Sequence, residues 1–340
     1  MVSPERDSRP AIVFGMLDGM VEHLFTPDQL ARLDTVGRVL DLQPLAAWAD
    51  PRADGLLAEV EIFVGHWGCP TLTAEVVARA PRLRLFAYGA GTVKLQVTDA
   101  VFERGIVVTS AAAANAVPVA EYTVAAILFA NKGAFVVRER QRDPSLRVAL
   151  DLSRVGNRGA RVGIVGASLV GRHVIELLRA TDLEVAVYDP FLTRDEAERL
   201  GVEKFEDLDA LCASVRVLSI HAPDIPPTRG MIGAAQLAAL PDGATVVNTA
   251  RPALVDQDAL VAELNSGRLA AVLDVADPDP LPADHPLLAL PNVFATPHIA
   301  GAMGNELVRL SELAVQEVER FVAGEPPLRP VAATDLDRIA

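Results

Sequence analysis

Two patterns of apolar and polar positions alternate along the chain. Short, β-branched apolar runs are typical of buried parallel strands, and the stretches between them carry apolar residues at helical spacing. The first third predicts strands in AIVFGM (11–16), VEIFVG (60–65), LRLFAY (83–88) and IVVTS (106–110), and helices at 26–36, at 73–80 and near 98–104. This alternation predicts an α/β fold with a parallel sheet.

A second α/β series follows a long helix and a loop. The long helix is predicted over 118–142, where its length suggests a domain junction or a subunit contact, and DLSRVGNRGA (151–160) is predicted as a loop. The second series is RVGIVG, LVGRHVIELLRA, EVAVYD, VRVLSIHAP, ATVVNTA, VDQDALVAELNSG, LAAVLDV and NVFATPH. A final helix is predicted from about 304 to 323, ending at Gly324.

Composition narrows the class of protein. The chain has 340 residues, enough for two domains, and its 51% hydrophobic and 22% charged residues exclude disorder as its main state. A net charge of −14 argues against a nucleic-acid partner, which needs a clustered basic surface. The apolar run 116–137 is interrupted by Glu121, Asn131 and Lys132, so we expect no membrane span.

Two further features suggest the compartment. The first ten residues, MVSPERDSRP, are polar and lack the apolar region of a signal peptide. Cys69 and Cys212 are the only cysteines, and neither belongs to a zinc-binding pattern, so no metal site is expected. We therefore expect a reduced, cytoplasmic protein.

Gly166-Ala-Ser-Leu-Val-Gly171 has the position of a dinucleotide-binding turn. It follows the apolar run RVGIV and opens an amphipathic helix, whose first amide groups can bind a pyrophosphate. Ser168 replaces the middle glycine of this motif, and its hydroxyl could donate to the phosphate or hold it farther away. The alternative is a helix turn that only packs on its strand.

Asp189 ends the next strand, 18 residues after Gly171. A carboxylate there hydrogen-bonds the adenosine ribose and repels a 2′-phosphate, which favours NAD over NADP. The alternative is an Asp that caps the turn before Pro190, and Arg194 lies nearby in the sequence.

Three later strand ends carry a guanidinium, carboxylates and an imidazole. Arg251 follows VVNTA, and His298 follows NVFATP. The carboxylates after LAAVL are Asp274, Asp277 and Asp279. Arg can bind a carboxylate through two parallel hydrogen bonds, and an imidazole beside a carboxylate can exchange a proton near neutral pH. With a hydride carrier, these groups suit the reduction of a 2-oxo acid. Taken alone, each of these residues has an ordinary structural explanation, such as an Asp that caps a turn or an Arg that is a solvated surface charge.

Several motifs together resemble the D-isomer-specific 2-hydroxyacid dehydrogenases. The resemblance covers nearly the whole chain and is carried by AYGAGTVKLQVTDAVFERGIVVTSAAAANAVPVAEYTVA, RVGIVGASLVGRHV, HAPDIPPTRGMI, VVNTAR and LDVADPDPLPADHPLLALPNVFATPHIAG. It implies two doubly wound parallel-sheet domains. A Rossmann NAD-binding domain (113–304) would be inserted into a flavodoxin-like substrate domain (1–112 and 305–340). It also implies a homodimer with the long helix in the subunit contact.

The resemblance implies a role for each matched residue. Arg251 would bind the substrate carboxylate and carbonyl, His298 would exchange the proton, and Asp279 would orient His298. The NAD-binding residues would be Gly166, Ser168, Leu169, Val170, Gly171, Asp189, His221, Ala222, Pro223, Thr228, Thr249, Ala250, Asp274 and His298. The substrate-binding residues would be His66, Trp67, Ala90, Gly91, Arg251, His298 and Met303. Asp274 would hold the nicotinamide carboxamide.

Four positions depart from the family pattern: Ser168, Leu169, Pro252 and Asp279. Pro252 stands where Gly is usual and restricts Arg251 to extended backbone angles. Asp279 is one methylene shorter than the usual Glu, which would lengthen its hydrogen bond to His298 or require a shift of the loop.

These departures leave a second function open, a dinucleotide-responsive binding protein that has lost efficient chemistry. For an enzyme, the substrate remains open among glyoxylate, hydroxypyruvate, a phosphorylated analogue and a specialised 2-oxo acid. The absence of basic residues from 65–70 and 88–93 weighs against phosphoglycerate.

Overall fold

The computed structural model describes residues 8–145, 155–336 and 338–339. The chain forms two compact units, Met1–Asn115 with Ala302–Ile339 and Ala116–Gly301. The second unit is therefore inserted into the sequence of the first. The predictions made for residues 1–7 and for 151–154 of the expected loop lie outside the described residues.

The first unit has five strands and most of its helices before residue 116. The strands are β1 (Ala11–Gly15), β2 (Arg38–Asp41), β3 (Ile62–Gly65), β4 (Leu85–Tyr88) and β5 (Val107–Ser110). The helices are α1 (Val21–Leu24), α2 (Pro27–Val36), α3 (Ala53–Glu59), α4 (Ala74–Arg79), α5 (Asp99–Glu103) and the start of α6 (Ala112–Asn131). All strand pairs are parallel, in the order β2-β1-β3-β4-β5 of flavodoxin-like folds.

The second unit continues from α6. Its helices are α7 (Ala134–Arg142), α8 (Leu169–Leu178), α9 (Arg194–Leu200), α10 (Leu208–Ser214), α11 (Ala234–Ala239) and α12 (Gln257–Asn265). Its strands are β6 (Arg161–Val165), β7 (Glu184–Tyr188), β8 (Glu203–Phe205), β9 (Val217–Ile220), β10 (Thr245–Asn248), β11 (Ala270–Leu273) and β12 (Val293–Ala295). The parallel order β12-β11-β10-β9-β6-β7-β8 is that of a Rossmann sheet with one added strand. Helix α13 (Leu307–Val322) belongs to the first unit.

Local sequence signals explain where the helices begin. Thr26 and Gln29 form a reciprocal capping box at the start of α2. Pro27, the first residue of that helix, suits the first helical turn because it lacks an amide hydrogen. In the second unit Ser168 and Asp256 cap α8 and α12 by accepting from Gly171 N and Ala259 N. Both of these caps lie at the carboxyl edge of the sheet, where strand gives way to helix.

Each sheet is covered by apolar side chains on both faces, as parallel sheets require. In the first unit Phe63 and Phe86 stack on one face, and Val315 and Val318 of α13 pack on the other. The predicted fold class, α/β with two doubly wound parallel sheets, is confirmed.

Two helix predictions are wrong in their bounds. The predicted single helix over 118–142 is two helices, because Gly133 adopts a left-handed conformation (φ 63°) between α6 and α7. The final helix begins at Leu307 and is preceded by a short 3-10 turn over Gly304–Glu306. Strand β2 was missed because all four of its residues are only half-buried, which leaves little hydrophobic alternation to detect.

Helix α6 is long and apolar enough, by length and composition alone, to cross a membrane. Core helices of soluble proteins meet the same criterion, and 44% of the apolar window is buried here. Ala120 and Ile127 of α6 lie in the core of the second unit, where they pack among residues of β6 and α8.

Candidate active site

Two glycines shape the turn between β6 and α8. Gly166 has φ 100°, and a Cβ atom there would lie 2.6 Å from Ala222 N. A Cβ atom on Gly171 would lie 2.1 Å from the Gly166 carbonyl oxygen. Ser168 accepts a hydrogen bond from Gly171 N, which leaves its hydroxyl hydrogen available to a ligand. Side chains are thus kept away from the first amides of α8, as an approaching pyrophosphate requires.

The carboxylate of Asp189 braces this turn. Its Oδ2 accepts from Ala167 N at 2.7 Å, and its Oδ1 accepts from Phe191 N and Leu192 N. Asp189 therefore caps the turn that follows β7, as the turn-capping alternative predicts. A carboxylate offers about four acceptor positions, so capacity for a ribose hydroxyl remains.

Arg172, one residue beyond Gly171, reaches back to the same turn. Its Nε donates to the Ala167 carbonyl, and its Nη2 pairs with Glu196 at 3.2 Å. Leu169, which takes the place of the family's usual Arg, is about half exposed. The charge of Arg172 is thus partly balanced by a neighbouring carboxylate.

The loop after β9 carries a buried histidine. Ser219 Oγ lies 2.8 Å from His221 Nε2, and within the described residues His221 Nδ1 is buried without a partner. Burial lowers the pKa of His221 to about 3, so the imidazole is neutral. Thr228 fixes the loop by donating to the carbonyls of Pro223 and Ile225. With the glycine turn, this unpaired buried nitrogen fits a site for the dinucleotide that the sequence predicts.

Arg251 follows β10 in an extended conformation (φ −144°, ψ 144°), as Pro252 requires. Asn248 holds this backbone from two sides, because its side chain accepts from Ala250 N and donates to the Arg251 carbonyl. Burial lowers the pKa of the guanidinium from its ordinary value, while the charges of Asp224 and Asp279 oppose that shift. A cation held in this way is suited to bind a carboxylate.

Asp279 and His298 form a close pair. His298 Nδ1 lies 2.7 Å from Asp279 Oδ2, so the shorter side chain still makes a hydrogen bond of normal length. Since an ionised carboxylate only accepts, Nδ1 carries the hydrogen and Nε2 is left for a reacting group. The His298 side chain is 50% exposed and therefore accessible to a ligand.

His298 has a left-handed backbone (φ 57°), which is uncommon outside glycine. The buried carboxylate of Asp274 holds this turn, accepting from Ile299 N and Ala300 N at 2.8 Å each and from the Thr296 hydroxyl at 2.6 Å. Tyr122 of α6 lies 2.7 Å from Thr296 Oγ1. Three acceptor positions of Asp274 are therefore used within the protein, which leaves about one for the carboxamide that the resemblance implies.

The remaining cofactor candidates have structural contacts of their own. The Thr249 hydroxyl lies 2.8 Å from that of Thr123, which joins the end of β10 to α6. Ala222 is buried, whereas Pro223, Val170 and Ala250 are half-buried beside the loops described above. No group of three His, Cys, Asp or Glu side chains suited to a metal ion occurs in the described parts of the chain.

Four of the five substrate candidates of the first unit follow its strands, and the fifth, Met303, precedes α13. His66 is buried and Trp67 is 38% exposed after β3. The loop of Ala90 and Gly91 follows β4, and its two carbonyls accept from the Ser110 hydroxyl. Met303 is exposed ahead of α13.

Sequence reasoning missed three residues that position the site. Asn248 and Thr296 lie inside quoted motifs, in VVNTAR and NVFATPH, so their spacing from Arg251 and His298 was a usable signal. Tyr122 also lies inside a quoted motif, in VAEYTVA, but its contact with Thr296 could not be inferred from spacing because the two residues are 174 positions apart in the sequence.

Similar sequences occur among known proteins. Residues 124–300 match the profile of the D-isomer specific 2-hydroxyacid dehydrogenase, NAD binding domain. The chain is 33% identical over 259 residues to a D-3-phosphoglycerate dehydrogenase of Archaeoglobus fulgidus, covering 74% of this chain and 48% of that protein. It thus spans about half the length of that relative.

A shorter relative matches more completely. The chain is 35% identical over 251 residues to an (S)-sulfolactate dehydrogenase of Chromohalobacter salexigens, covering 72% of this chain and 80% of that protein. Among solved structures, the TT0316 protein of Thermus thermophilus aligns with a TM-score of 0.72 and 29% identity, covering 95% of this chain and all of that one.

We expect Gly171→Ala to lower the free energy of unfolding by about 2 kcal/mol, because the added Cβ cannot fit against the Gly166 carbonyl. Gly55→Ala is the matched control, since Gly55 lies in α3 with open space around its Cβ position. That change should raise stability by about 0.5–1 kcal/mol. Urea titration followed by circular dichroism measures both effects, and equal effects would contradict the close contact.

Proposed function

The chain belongs to the D-isomer-specific 2-hydroxyacid dehydrogenase family, and from that premise we propose that it interconverts a small 2-oxo acid and its D-2-hydroxy acid with NAD(H). The observation that supports this best is the 2.7 Å contact between His298 and Asp279. The charge of Asp279 also acts on Arg251, so an acid–base pair and an anion-binding cation lie in one electrostatic environment.

His298 exchanges the proton in this proposal. Its Nδ1–H donates to Asp279, which fixes the tautomer and stabilises the imidazolium. During reduction the imidazolium gives its Nε2 proton to the carbonyl oxygen, and during oxidation the neutral ring takes that proton back. NADH, when bound, supplies the hydride that completes the CH–OH group.

Arg251 binds the substrate carboxylate and polarises the neighbouring carbonyl. Its partial burial favours pairing with an incoming anion, since the guanidinium has lost part of its hydration. Asn248 and Pro252 limit the backbone freedom of Arg251, so less entropy is lost on binding. In the first unit, we assign substrate contacts to His66, Trp67, Ala90, Gly91 and Met303 on the resemblance alone.

NAD(H) is the preferred cofactor in this proposal. The glycine turn of residues 166–171 would hold the pyrophosphate, and Asp189 would accept from the adenosine ribose. The carboxylate of Asp189 also disfavours the 2′-phosphate of NADP(H). The location is proposed as cytoplasmic, in keeping with the two free, buried thiols of Cys69 and Cys212.

We expect purified protein to oxidise NADH in the presence of a 2-oxo acid such as glyoxylate. His298→Ala should lower kcat at least about 100-fold by removing the acid–base group, whereas His23→Ala, on the exposed side of α1, should leave it unchanged. The kcat/KM with NADPH should be at least about tenfold lower than the kcat/KM with NADH. Absorbance at 340 nm follows each reaction.

The same assay separates the enzyme from the second function. If NADH binds, as measured by its fluorescence, but no 2-oxo acid is reduced, the dinucleotide-responsive binding protein becomes the better proposal. Turnover that His298→Ala abolishes would exclude it.

Tyr122 and Thr296 should position His298 through Asp274. Burial raises the pKa of Tyr122, so its hydroxyl stays a donor to Thr296, which in turn donates to Asp274. We expect Tyr122→Phe to lower kcat about threefold to tenfold by removing one buried hydrogen bond of about 1 kcal/mol. The KM for NADH should change less than about twofold if the role is positioning.

Thr296→Val provides the control for this network. It breaks both links at once, so adding Tyr122→Phe to it should lower kcat no further. Fully additive losses in the double variant would mean that the two residues act separately.

We also propose a homodimer whose subunit contact includes α6 and α7. Exposed apolar side chains on these helices support this, with Phe129 57% and Val137 44% exposed. Light scattering should give twice the mass of the chain, and Phe129→Glu should shift the protein toward the monomer with an unchanged circular dichroism spectrum. A wild-type mass equal to one chain would contradict the dimer.

A further inference from the structure

The loop that carries Asp279 is packed at its ends and not in its middle. After β11, Val275 and Ala276 are buried, and farther along Leu281 packs against the core of the second unit. The four residues between them, 277–280, are all exposed. We call these four residues the 277–280 segment. Since apolar packing does not fix it, its position depends on hydrogen bonds.

One side chain supplies the hydrogen bonds to the backbone of this segment. Pro278 and Pro280 lack an amide hydrogen, so the segment has two backbone N–H groups, on Asp277 and Asp279. Asp277 N donates to Gln257 Oε1 at 2.8 Å, and Gln257 Nε2 donates to the Asp277 carbonyl at 2.5 Å. Among the described residues, Gln257 alone makes hydrogen bonds to the backbone of residues 276–281.

Gln257 can hold the segment because its own backbone is fixed. It is the first residue of α12, and Asp256 caps this helix by accepting from Ala259 N at 3.0 Å. Leu260 and Leu264, one and two turns farther along, are buried in the core of the second unit. The carboxamide therefore extends from a capped, well-packed helix to a loop that lacks packing of its own.

The contact between Asp279 and His298 tolerates little movement of this backbone. Asp279 Oδ2 lies 2.7 Å from His298 Nδ1, and a displacement of about 1 Å would take the pair beyond the usual range of about 2.7–3.2 Å. A Glu side chain could follow such a displacement through its additional methylene, whereas Asp cannot. Holding Asp277 restricts Asp279, because the one residue between them is Pro278, whose φ is fixed by its ring.

We propose that Gln257 is a positioning residue for the acid–base pair: by holding Asp277 it keeps the carboxylate of Asp279 within hydrogen-bond distance of His298. Gln257 exchanges no proton, and its effect on the reaction passes through Asp279. It compensates for a carboxylate that is one methylene shorter than usual. The proposal rests on the proposed function for the role of His298 in catalysis.

Gln257→Met tests this role, because it keeps the length of the side chain and removes both hydrogen bonds. The kcat for a 2-oxo acid with NADH should fall about tenfold, and the KM for NADH should change less than about twofold. Gln236→Met is the matched control in the same unit, since the Gln236 carboxamide also makes two hydrogen bonds, with Gly233 N and Asp209. It should leave kcat unchanged, and equal losses in the two variants would overturn the proposal.

A longer carboxylate separates positioning from a general loss of stability. In the Asp279→Glu background the additional methylene lets the carboxylate reach His298 from a displaced backbone. Adding Gln257→Met to that background should therefore lower kcat less than about threefold, compared with about tenfold when residue 279 is unchanged. The same loss in both backgrounds would mean that Gln257 does not act through the reach of residue 279, and would overturn the proposal.

Nuclear magnetic resonance of the imidazole nitrogens gives a readout that needs no turnover. In alkaline buffer, where the ring is neutral, 15N-labelled histidine reports which nitrogen carries the hydrogen, and the signal missing from His298→Ala identifies His298. The wild type should carry it on Nδ1. Gln257→Met should show a mixture of Nδ1–H and Nε2–H, because the displaced carboxylate no longer selects one tautomer, and Gln236→Met should match the wild type. An unchanged His298 signal in Gln257→Met would overturn the proposal.

The outcomes separate this proposal from the proposed function. Turnover that is equal in the wild type and Gln257→Met would keep the function and refute the positioning role. A changed His298 tautomer in Gln257→Met, in a protein that reduces no 2-oxo acid, would keep the positioning of the pair and refute the function. An unchanged tautomer in a protein without turnover would refute both.

Discussion

The buried carboxylate of Asp274 is the contact on which the geometry of the candidate site depends. It follows β11, lies almost fully buried, and collects two backbone amides and one hydroxyl from the turn after β12. These three bonds offset the cost of a left-handed backbone at His298, about 1 kcal/mol or more for a residue other than glycine. Asp274 therefore supports the turn of His298 through three of its acceptor positions, and about one position remains for the carboxamide that the resemblance implies.

Three histidines follow strand ends, and burial distinguishes them. His66 and His221 are buried, and their pKa values are lowered to about 3, so neither can gain a proton at neutral pH. His298 is half exposed, and its Nδ1 lies 2.7 Å from a carboxylate oxygen of Asp279. Burial thus leaves His66 and His221 neutral, and the accessible His298 is the histidine of the three that suits the proton exchange of the proposed function.

Much of the fold was predictable, because parallel strands that are buried on both faces appear in the sequence as short, continuous apolar runs. The predicted helix bounds were wrong where a single residue interrupts the apolar pattern. Gly133, in a left-handed conformation, divides the predicted long helix into α6 and α7. The candidate site was predictable as a set of residues that follow strands, and the structure brings two of them, Asp279 and His298, into contact. The contact of Tyr122 with Thr296 was not predictable, because it joins helix α6 to the turn after β12 across 174 residues of sequence.

Position 279 holds Asp where the family usually has Glu, and this difference bears on the proposed acid–base role of His298. A side chain shorter by one methylene reaches His298 only if its backbone lies closer. Gln257 of α12 holds that backbone in place, since its amide donates to the Asp277 carbonyl and accepts from Asp277 N. The hydrogen bond between residues 279 and 298 nevertheless has a normal length of 2.7 Å. The shorter side chain is therefore compatible with the acid–base pair of the proposed function.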